Sequence, residues 1–223
     1  MFSFELMITN TEENYLKAIY SLNEDRNGKD LGTNELASHL GISPATASSM
    51  LKKLKEKGLI SYEKYGAISL LEKGEREAYT VIRKHRLWET FLVEKMEFTW
   101  DEIHEVAEQL EHIKSKKLVD QLDKLLGYPE YDPHGDPIPN ANGKIKTIHK
   151  NTLSQEPPGK QLTMVGVKND SPEFLQYITQ LGLAINSKIT ITSYHKFDSS
   201  LNIEVNGKSQ MITQQVAENI YVS

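Results

Sequence analysis

The sequence predicts a mainly helical protein with a small β domain, organised as an N-terminal winged helix-turn-helix, a helical middle region and a C-terminal small β-barrel. Three patterns carry this prediction. Capped helices around a tight turn precede a short β-ribbon, three amphipathic helices follow, and the last part of the chain is a series of short alternating apolar segments.

Composition limits the kinds of site that the chain can form. Its 223 residues are enough for one large domain or two to three small ones, and none of them is a cysteine. Disulfides, thiolate ligands and a cysteine-rich zinc finger are therefore excluded, so a metal would have to bind through nitrogen and oxygen. The net charge of −5 argues against coating nucleic acid through bulk positive charge, although a local basic face is enough for DNA binding.

No segment of the sequence suggests a membrane span or a secretory signal. The first residues do not contain a basic segment followed by an apolar one, and the sequence has no uninterrupted run of roughly 18 apolar residues. We therefore expect a cytoplasmic protein with no membrane association.

Capping residues delimit the first two helices. Thr9 or Thr11 can cap a first helix that has acidic residues in its opening turn and ends near Asn27-Gly28. Thr33 can then cap a short second helix over Asn34–Leu40.

The third helix opens with Ser43-Pro44. Ser43 supplies a capping oxygen, and Pro44 occupies the first helical position, where its missing N–H costs nothing. The helix is expected to run to about Lys57, before Gly58. A two-stranded wing should follow, formed by Leu59–Glu63 and Ala67–Leu70 around a turn at Tyr65-Gly66.

Small and hydroxyl-bearing residues on the front of the third helix can approach base edges closely, and lysines on the next turns are placed to contact phosphates. Such faces are also common on ordinary solvated helices, but the combination with a cap, a turn and a wing favours DNA binding. The candidate DNA-binding residues are Ser43, Pro44, Ala45, Thr46, Ser48, Ser49, Lys52 and Lys53.

Three amphipathic helices make up the middle region. We expect the first from Glu72 to about Lys95, the second after a cap at Thr99, and the third after a cap at Ser115, ending at Gly127-Tyr128-Pro129. Their apolar stripes could bury a dimer seam, since a single winged helix makes few base contacts and two-fold symmetry is the usual remedy. We therefore expect a homodimer on a double-stranded DNA operator with two-fold symmetry.

Histidines and glutamates recur at helical spacing in this middle region. Residues three or four apart share one helix face, and imidazole and carboxylate together are ligands for a divalent transition metal. The alternative is that they form exposed helix faces with ordinary ion pairs one turn apart, which is the commoner fate of any single pair. The set consists of His85, Glu89, His104, Glu108, Glu111 and His112.

A proline-rich stretch separates the helices from the last domain. Little regular structure is expected in the linker 141–160, and His134, before it, is better explained as a turn residue than as a ligand. Beyond the linker, the alternating segments predict a small barrel of short strands with one helix near Ser171–Leu181. The expected strands are Leu162–Val167, Lys188–Ser193, Leu201–Val205, Gln210–Ile212 and Ile220–Val222.

Four runs of residues together resemble the diphtheria-toxin-repressor family, which includes the manganese transport regulators. They are Thr11–Tyr20 (TEENYLKAIY), Lys84–Leu87 (KHRL), Leu110–His112 (LEH) and Asp132–Pro139 (DPHGDPIP). Each run is weak alone, but their order and spacing are specific. The resemblance implies a metal-dependent dimeric repressor with a winged-helix domain (1–73), a metal-binding and dimerisation domain (74–140), the linker (141–160) and an SH3-like, FeoA-type domain (161–223).

The resemblance also assigns ligands to two metal sites, a primary activating site and an ancillary one. The first helix completes the primary site through Asn14, where the family usually has methionine or aspartate, so this chain departs from both patterns. In some members the C-terminal domain adds ligands to the ancillary site. The implied primary ligands are Asn14, Glu108, Glu111 and His112, the implied ancillary ligands are His85, Glu89 and His104, and the matching C-terminal residues are Asp170 and Glu173.

The donor set bears on the metal. Because Glu108 stands where iron-type members have cysteine, all the donors are nitrogen or oxygen, which favours Mn²⁺, with Fe²⁺ as the alternative. We expect two metal ions per subunit, and the resemblance implies that metal acts as corepressor of metal-transport genes.

Two other classes of function remain open. One is a metalloenzyme, against which the lack of a nucleophile or a Gly-rich phosphate loop counts, so we do not expect an enzyme. The other is a DNA-binding regulator that responds to an organic ligand or a partner protein.

Overall fold

The fold divides into two compact units. The computed structural model describes residues 8–24, 30–63, 66–146 and 151–223. Each unit collects segments that are far apart in the chain. The first comprises Met1–His85, Leu110–Lys114 and Pro139–Lys144, and the second comprises Arg86–Gln109, Ser115–Ile138 and Ile145–Ser223.

The helical part of the first unit begins with a capping box. The hydroxyl of Thr9 accepts from the backbone N–H of Glu12 at 3.3 Å, and Oε2 of Glu12 accepts from the backbone N–H of Thr9 at 2.9 Å. Thr9 is therefore the cap, whereas the predicted end at Asn27-Gly28 lies outside the described residues. The three helices are α1 (Asn10–Glu24), α2 (Thr33–His39) and α3 (Pro44–Glu56).

The predicted cap of α3 is correct, and the predicted cap of α2 is not. The prediction for α2 was wrong by one position: Gly32 is the cap, in an extended conformation, and Thr33 is the first helical residue. The prediction for α3 is confirmed, because Ser43 Oγ accepts from the backbone N–H of Thr46 at 3.1 Å. Gly58 follows α3 with a φ of 67°, a conformation that glycine adopts without strain.

The wing follows α3 as predicted. It consists of β1 (Ile60–Tyr62) and β2 (Ile68–Leu70), paired antiparallel, and Tyr65 of the predicted turn lies outside the described residues. The backbone N–H of Leu71 donates to the carbonyl of Leu59 at 2.9 Å, which ties the end of the wing to its beginning.

Three helices follow: α4 (Glu72–Met96), α5 (Ile103–Leu110) and α6 (Lys116–Leu125). The predicted cap at Ser115 is confirmed, since its hydroxyl accepts from the backbone N–H of Leu118. Thr99 does not cap α5. Instead Glu102 accepts from both the hydroxyl and the backbone N–H of Thr99, and residues 99–102 form a turn before the helix.

The C-terminal part of the second unit is a six-stranded antiparallel sheet in the order β3-β8-β4-β5-β6-β7. The five predicted strands are present, and the sheet has in addition a short edge strand that the sequence did not predict. The elements are β3 (Asn151–Thr152), a 3₁₀ helix (Leu153–Gln155), β4 (Gln161–Val167), α7 (Pro172–Gln180), β5 (Lys188–Tyr194), β6 (Leu201–Val205), β7 (Lys208–Ile212), α8 (Gln214–Ala217) and β8 (Ile220–Val222).

The linker expected at 141–160 therefore contains regular structure. Asn151 and Thr152 pair with Val222 and Tyr221 of β8, and the next residue, Leu153, is fully buried in the core of the sheet. Burial of that leucine is the physical reason why this segment folds with the sheet.

Two hydrogen bonds join the turn before α5 to α7 within the second unit. Nε1 of Trp100 donates to the hydroxyl of Thr179 at 3.0 Å, and Gln176 donates to Asp101 at 2.8 Å. These contacts place the middle and the C-terminal end of α7 beside the turn that precedes α5. Among the described helices, none combines the length and the apolar composition that a membrane span requires.

Gly74 on the first turn of α4 is expected to tolerate no side chain. A Cβ added there would lie 2.0 Å from the carbonyl oxygen of Leu59, which is backbone and cannot rotate away. We expect Gly74→Ala to lower the free energy of unfolding by about 2 kcal/mol, in the range typical of overpacking. Urea unfolding followed by circular dichroism measures this.

Gly32→Ala is the matched control, because a Cβ added at Gly32 meets nothing within 4 Å. Its free energy of unfolding should fall by no more than about 1 kcal/mol, the usual cost of alanine at a helix N-cap. Equal losses in the two variants would contradict the close approach at Gly74.

Candidate metal centres and DNA-reading helix

The face of α3 that the sequence assigns to DNA is largely exposed. Ala47, Leu51 and Leu54 are fully buried on the other side of this helix. The hydroxyls of Ser43 and Thr46 lie 2.8 Å apart, so the cap also fixes the orientation of the threonine. The exposed members of the predicted set are Ser43, Pro44, Ala45, Thr46, Ser49, Lys52 and Lys53, and Ser48 is half-buried.

A group of imidazoles and carboxylates, which we call the first cluster, lies in the first unit and consists of Glu13, His85, Glu111 and His112. Glu111, only 1% exposed, lies between the two imidazoles. Its Oε2 is 2.6 Å from Nδ1 of His85, and its Oε1 is 3.8 Å from Nε2 of His112. Helix α1 supplies the first of these residues, α4 the second, and the segment after α5 the other two.

Glu13 orients the imidazole of His112. Its Oε2 lies 2.6 Å from Nδ1 of His112, so a proton on Nδ1 leaves the lone pair of Nε2 on the side of Glu111. A carboxylate that holds the far nitrogen of an imidazole in this way is typical of histidines that bind metals.

The buried carboxylates of the first cluster are compensated by lysines. Nζ of Lys17 donates to Oε2 of Glu111 at 2.7 Å, and Nζ of Lys114 donates to Oε1 of Glu13 at 2.6 Å. Nζ of Lys84 lies 3.6 Å from the same oxygen of Glu13.

The pKa values of two of these groups are shifted. Burial by itself would raise the pKa of Glu111, but the hydrogen bond to His85 and the charge of Lys17 outweigh it and lower this pKa. Burial lowers the pKa of Lys84, against the opposing charge of Glu13. Glu111 is therefore held in its charged form, which is the form that a metal binds.

Asn14, the implied contribution of the first helix, has an exposed side chain. The residue before it, Glu13, is buried and contacts His112. Its inward position could have been recognised from the sequence, because Glu13 precedes Leu16 by three residues and Tyr20 by seven, a spacing that places all three on the buried face of α1.

A second cluster, formed by Glu89, His104, Asp132 and His134, lies in the second unit. Glu89, Asp132 and His134 are all buried, and each offers a ligand atom within 4.8 Å of those of the other two. Nδ1 of His104 lies 3.5 Å from Oε1 of Glu89. The sequence interpretation of His134 as a turn residue is correct about the backbone, but this turn also carries the imidazole into the cluster.

The two ring nitrogens of His134 have different surroundings. Nε2 lies 2.8 Å from the carbonyl oxygen of Trp100, to which it can only donate, and Nδ1 lies 3.7 Å from Oε1 of Glu89. A proton on Nε2 leaves the Nδ1 lone pair on the side of the cluster, an arrangement suited to binding a metal.

Burial and the charges of Asp136 and Glu89 raise the pKa of Asp132 to about 7, against the positive charge of Arg86. Nε of Arg86 lies 3.5 Å from Oδ2 of Asp132. Oδ1 of Asp132 accepts the backbone N–H groups of His134 and Asp136, both at 2.9 Å, which fixes the turn.

His104 lies at the rim of the second cluster. The hydrogen bonds to Glu108 and then to Glu89 raise the pKa of His104 to about 10, so its imidazole carries a proton that a metal would displace. A cavity of about 450 Å³, lined by acidic residues, opens beside it. Asp170 lines this cavity, whereas Glu173 is exposed and does not.

Within each unit the contacts bring some of the predicted ligands together, and their division into a primary and an ancillary set stays a prediction. His85, implied for the ancillary site, contacts Glu111 in the first cluster. Glu108, implied for the primary site, lies 3.5 Å from His104 in the second unit. The sequence analysis had not included Glu13, Asp132 and His134 as ligands. The last two stand in the DPHGDPIP run, so an Asp-x-His pair within a turn was the signal that could have pointed to them.

Both clusters fit a divalent transition metal. They offer imidazole nitrogens and carboxylate oxygens, several of them buried, and the chain has no cysteine. Such a set suits Mn²⁺ and Fe²⁺ and also accepts Zn²⁺.

Three family profiles match this chain. They describe the iron dependent repressor N-terminal DNA binding domain at residues 7–68, the iron dependent repressor metal binding and dimerisation domain at 71–140, and the FeoA domain at 151–223. The second cluster therefore draws its four residues from the metal binding and dimerisation domain.

Individual relatives agree with these profiles. The iron-dependent repressor IdeR of Mycobacterium tuberculosis strain H37Rv is 35% identical over 132 residues, which are 59% of this chain and 56% of that protein. The chain thus spans about half of the length of this curated relative.

Solved structures match over more of the chain. A manganese-dependent transcriptional repressor in complex with manganese has a TM-score of 0.85 and 33% identity, and the match covers 95% of this chain and 98% of that one. ScaR with bound Zn²⁺ has a TM-score of 0.77 and 34% identity, with 95% and 98% covered. From its fold, its two clusters and these matches, the chain belongs to the iron-dependent repressor family, the family of the diphtheria toxin repressor that its sequence resembles.

Proposed function

We propose that this protein is a metal-dependent repressor of metal-transport genes, in which Mn²⁺ acts as corepressor. The observation that carries the proposal is that adjacent carboxylates on the first turn of α1 contact both the DNA-reading helix and the first cluster. A DNA-binding surface and a metal-binding cluster are thereby connected through one short segment of the first unit.

The two contacts are specific. Nζ of Lys57, the C-cap residue directly after α3, lies 2.7 Å from Oε1 and 2.8 Å from Oε2 of Glu12. The next residue, Glu13, holds His112 at 2.6 Å. A metal that fixes the first cluster would also fix the turn that holds the end of α3, so it would favour one position of the reading helix by its differential affinity.

The metal is proposed from the donors and from the similar structures. Nitrogen and oxygen donors without thiolate favour Mn²⁺, and the manganese-dependent repressor is similar to this chain over nearly its whole length. Fe²⁺ is the second candidate, because IdeR, an iron-dependent repressor by name, is 35% identical over 132 residues.

Two metal ions per subunit are proposed, one at each cluster. His85, Glu111 and His112 would hold the metal of the first cluster, and Glu13 would orient the last of them. The predicted role of Asn14 as a further ligand remains a prediction, to be tested beside Glu13. At the second cluster Glu89, Asp132, His134 and His104 would hold the metal, with Glu108 and Asp170 beside His104 and with Glu173 as an outlying predicted ligand.

The protein is proposed to act as a homodimer on an operator with two-fold symmetry. Helix α6 buries Val119 and Leu122 but leaves Leu118 and Leu125 exposed, the latter at 61%. Large exposed leucines on a helix of the dimerisation domain are suited to a seam between two copies.

Loss of the imidazole at His112 should abolish the response to metal. DNA fragments selected from a random library by the wild-type protein with Mn²⁺ would serve as operator. Mn²⁺ should raise the operator affinity of the wild type about 5- to 150-fold, the usual size of allosteric coupling, and that of His112→Ala not at all. Fluorescence anisotropy with and without Mn²⁺, and with anaerobic Fe²⁺ in parallel, measures both.

Variants of the reading helix are the control. Lys52→Ala and Thr46→Ala should weaken operator binding while keeping the factor by which Mn²⁺ raises it, and only Thr46→Ala should lower the preference for operator over random DNA. A His112→Ala protein that gains affinity with Mn²⁺ as the wild type does would rule out the first cluster as the activating site.

Neighbouring residues on α1 should differ in their effect on metal affinity. Glu13→Gln weakens the acceptor that orients His112 and should raise the Kd for Mn²⁺ about 10-fold or more, as is typical of groups that orient a ligand. Asn14→Ala should leave this Kd unchanged if Asn14 remains exposed. Isothermal titration calorimetry measures the Kd for Mn²⁺ of both variants. A larger rise of this Kd in Asn14→Ala than in Glu13→Gln would indicate that the first helix contributes Asn14 to the site.

Removal of His134 should cost one metal ion per subunit. His134→Ala takes an imidazole from the second cluster and leaves the first intact, so metal counting by plasma mass spectrometry should fall from two ions to one while activation by Mn²⁺ is retained in part. His195→Ala, which changes an exposed histidine of the C-terminal sheet, is the control and should retain two. Two ions in both variants would contradict the assignment of His134.

A further inference from the structure

The ammonium group of Lys17 lies among atoms that the proposed function assigns to the metal. Its Nζ is 2.7 Å from Oε2 of Glu111 and 3.1 Å from Nδ1 of His85. Nδ1 of His85 lies 2.6 Å from the same Oε2, so this nitrogen carries a proton and donates to Glu111. A single positive group therefore contacts a carboxylate and an imidazole of the first cluster at hydrogen-bond distance.

Lysine is suited to hold this position without completing a metal site. Its ammonium carries three N–H donors and no acceptor, so it can neutralise the carboxylate as a cation does but cannot itself bind a metal. The other two lysines of this region contact Glu13. Among the described lysines named here, Lys17 is the one that contacts Glu111.

Burial of Glu111 makes such a cation necessary. This side chain is 1% exposed, and an unpaired buried carboxylate costs several kcal/mol. In the metal-free protein, Lys17 supplies the positive charge from inside the chain.

We propose that Lys17 is an internal competitor of the metal, an affinity-determining residue that occupies Glu111 when the first cluster holds no metal and leaves it when metal binds. This inference rests on the proposed metal site at Glu111. The ammonium competes with every divalent ion alike, so Lys17 sets the concentration at which the cluster fills and has little effect on which metal is preferred.

Direct measurement of metal affinity tests the competition. Lys17→Met keeps the length of the side chain and removes the charge. Because hydrogen bonds between charged groups are worth roughly a factor of 10 to 100, the Kd for Mn²⁺ at the first cluster should fall by at least about 10-fold. The titration uses the full chain with His134→Ala in the background, so that one site is observed, and the ratio of the Kd values for Mn²⁺ and Zn²⁺ should not change.

Two further variants separate competition from a general charge effect. Lys114→Met also removes one positive charge from this region, but its partner is Glu13, so the Kd should fall by less than about 3-fold, as expected for a side chain that is 58% exposed. Lys17→Arg keeps the charge and should bind Mn²⁺ much as the wild type does. An unchanged or higher Kd in Lys17→Met, or equal gains in Lys17→Met and Lys114→Met, would overturn the proposal.

A second readout needs no variant, so it holds even if Lys17→Met folds poorly. The amine of Lys17 should be modified several-fold faster by acetic anhydride when Mn²⁺ is bound, because it then lacks its carboxylate partner, whereas Lys146, paired with Glu130 in the second unit, should react at the same rate. Peptide mass spectrometry reads both. No acceleration at Lys17 would contradict its displacement.

The outcomes also distinguish this inference from the function on which it rests. If the protein that carries only His134→Ala binds no Mn²⁺, or if adding Glu111→Gln does not weaken its binding, the metal site at Glu111 is wrong. If Glu111→Gln abolishes binding and Lys17→Met does not strengthen it, the site stands and only the competition by Lys17 is wrong.

Discussion

A carboxylate buried inside a protein must have a positive partner, and this constraint organises the first unit. Glu13 and Glu111 are both nearly inaccessible, and lysines and imidazoles converge on them from three separate parts of the chain. The cost of leaving such charges alone is larger than the gain from most single contacts, so the cluster keeps these segments together. A metal ion bound at the proposed site would enter a region that already contains several positive side chains.

The same constraint supports the proposed effect of a bound metal on the DNA-binding face of α3, which the metal would not touch. Glu12 and Glu13 are adjacent, yet one holds the end of the reading helix and the other holds an imidazole of the first cluster. Because the turn is also closed by the capping box with Thr9, the two carboxylates cannot move independently. Rigidity at the start of one helix is thus the physical basis of the proposed coupling.

Local sequence patterns predicted most helices and strands, whereas the composition of the two clusters depends on tertiary contacts. The cap at Ser43 follows from chemistry within three residues, and the alternating segments of the last domain needed nothing else. By contrast, His85 faces Glu111, and His134 faces Glu89, only because distant segments meet in the folded chain. Strand β3 is two residues long, too short for any periodic pattern, and is defined by its pairing with β8.

Helix α4 is 25 residues long and contributes one residue to each cluster. These residues, His85 and Glu89, lie one turn apart. Glu13, by contrast, belongs to the DNA-binding domain that a protein engineer would exchange to change operator preference. A chimera joined between the wing and α4 would keep the histidines of both clusters from the recipient but receive the first-helix carboxylate from the donor. The donor domain would then change both the operator preference and the metal concentration at which the chimera responds. Changing operator preference alone would require grafting only the exposed face of α3.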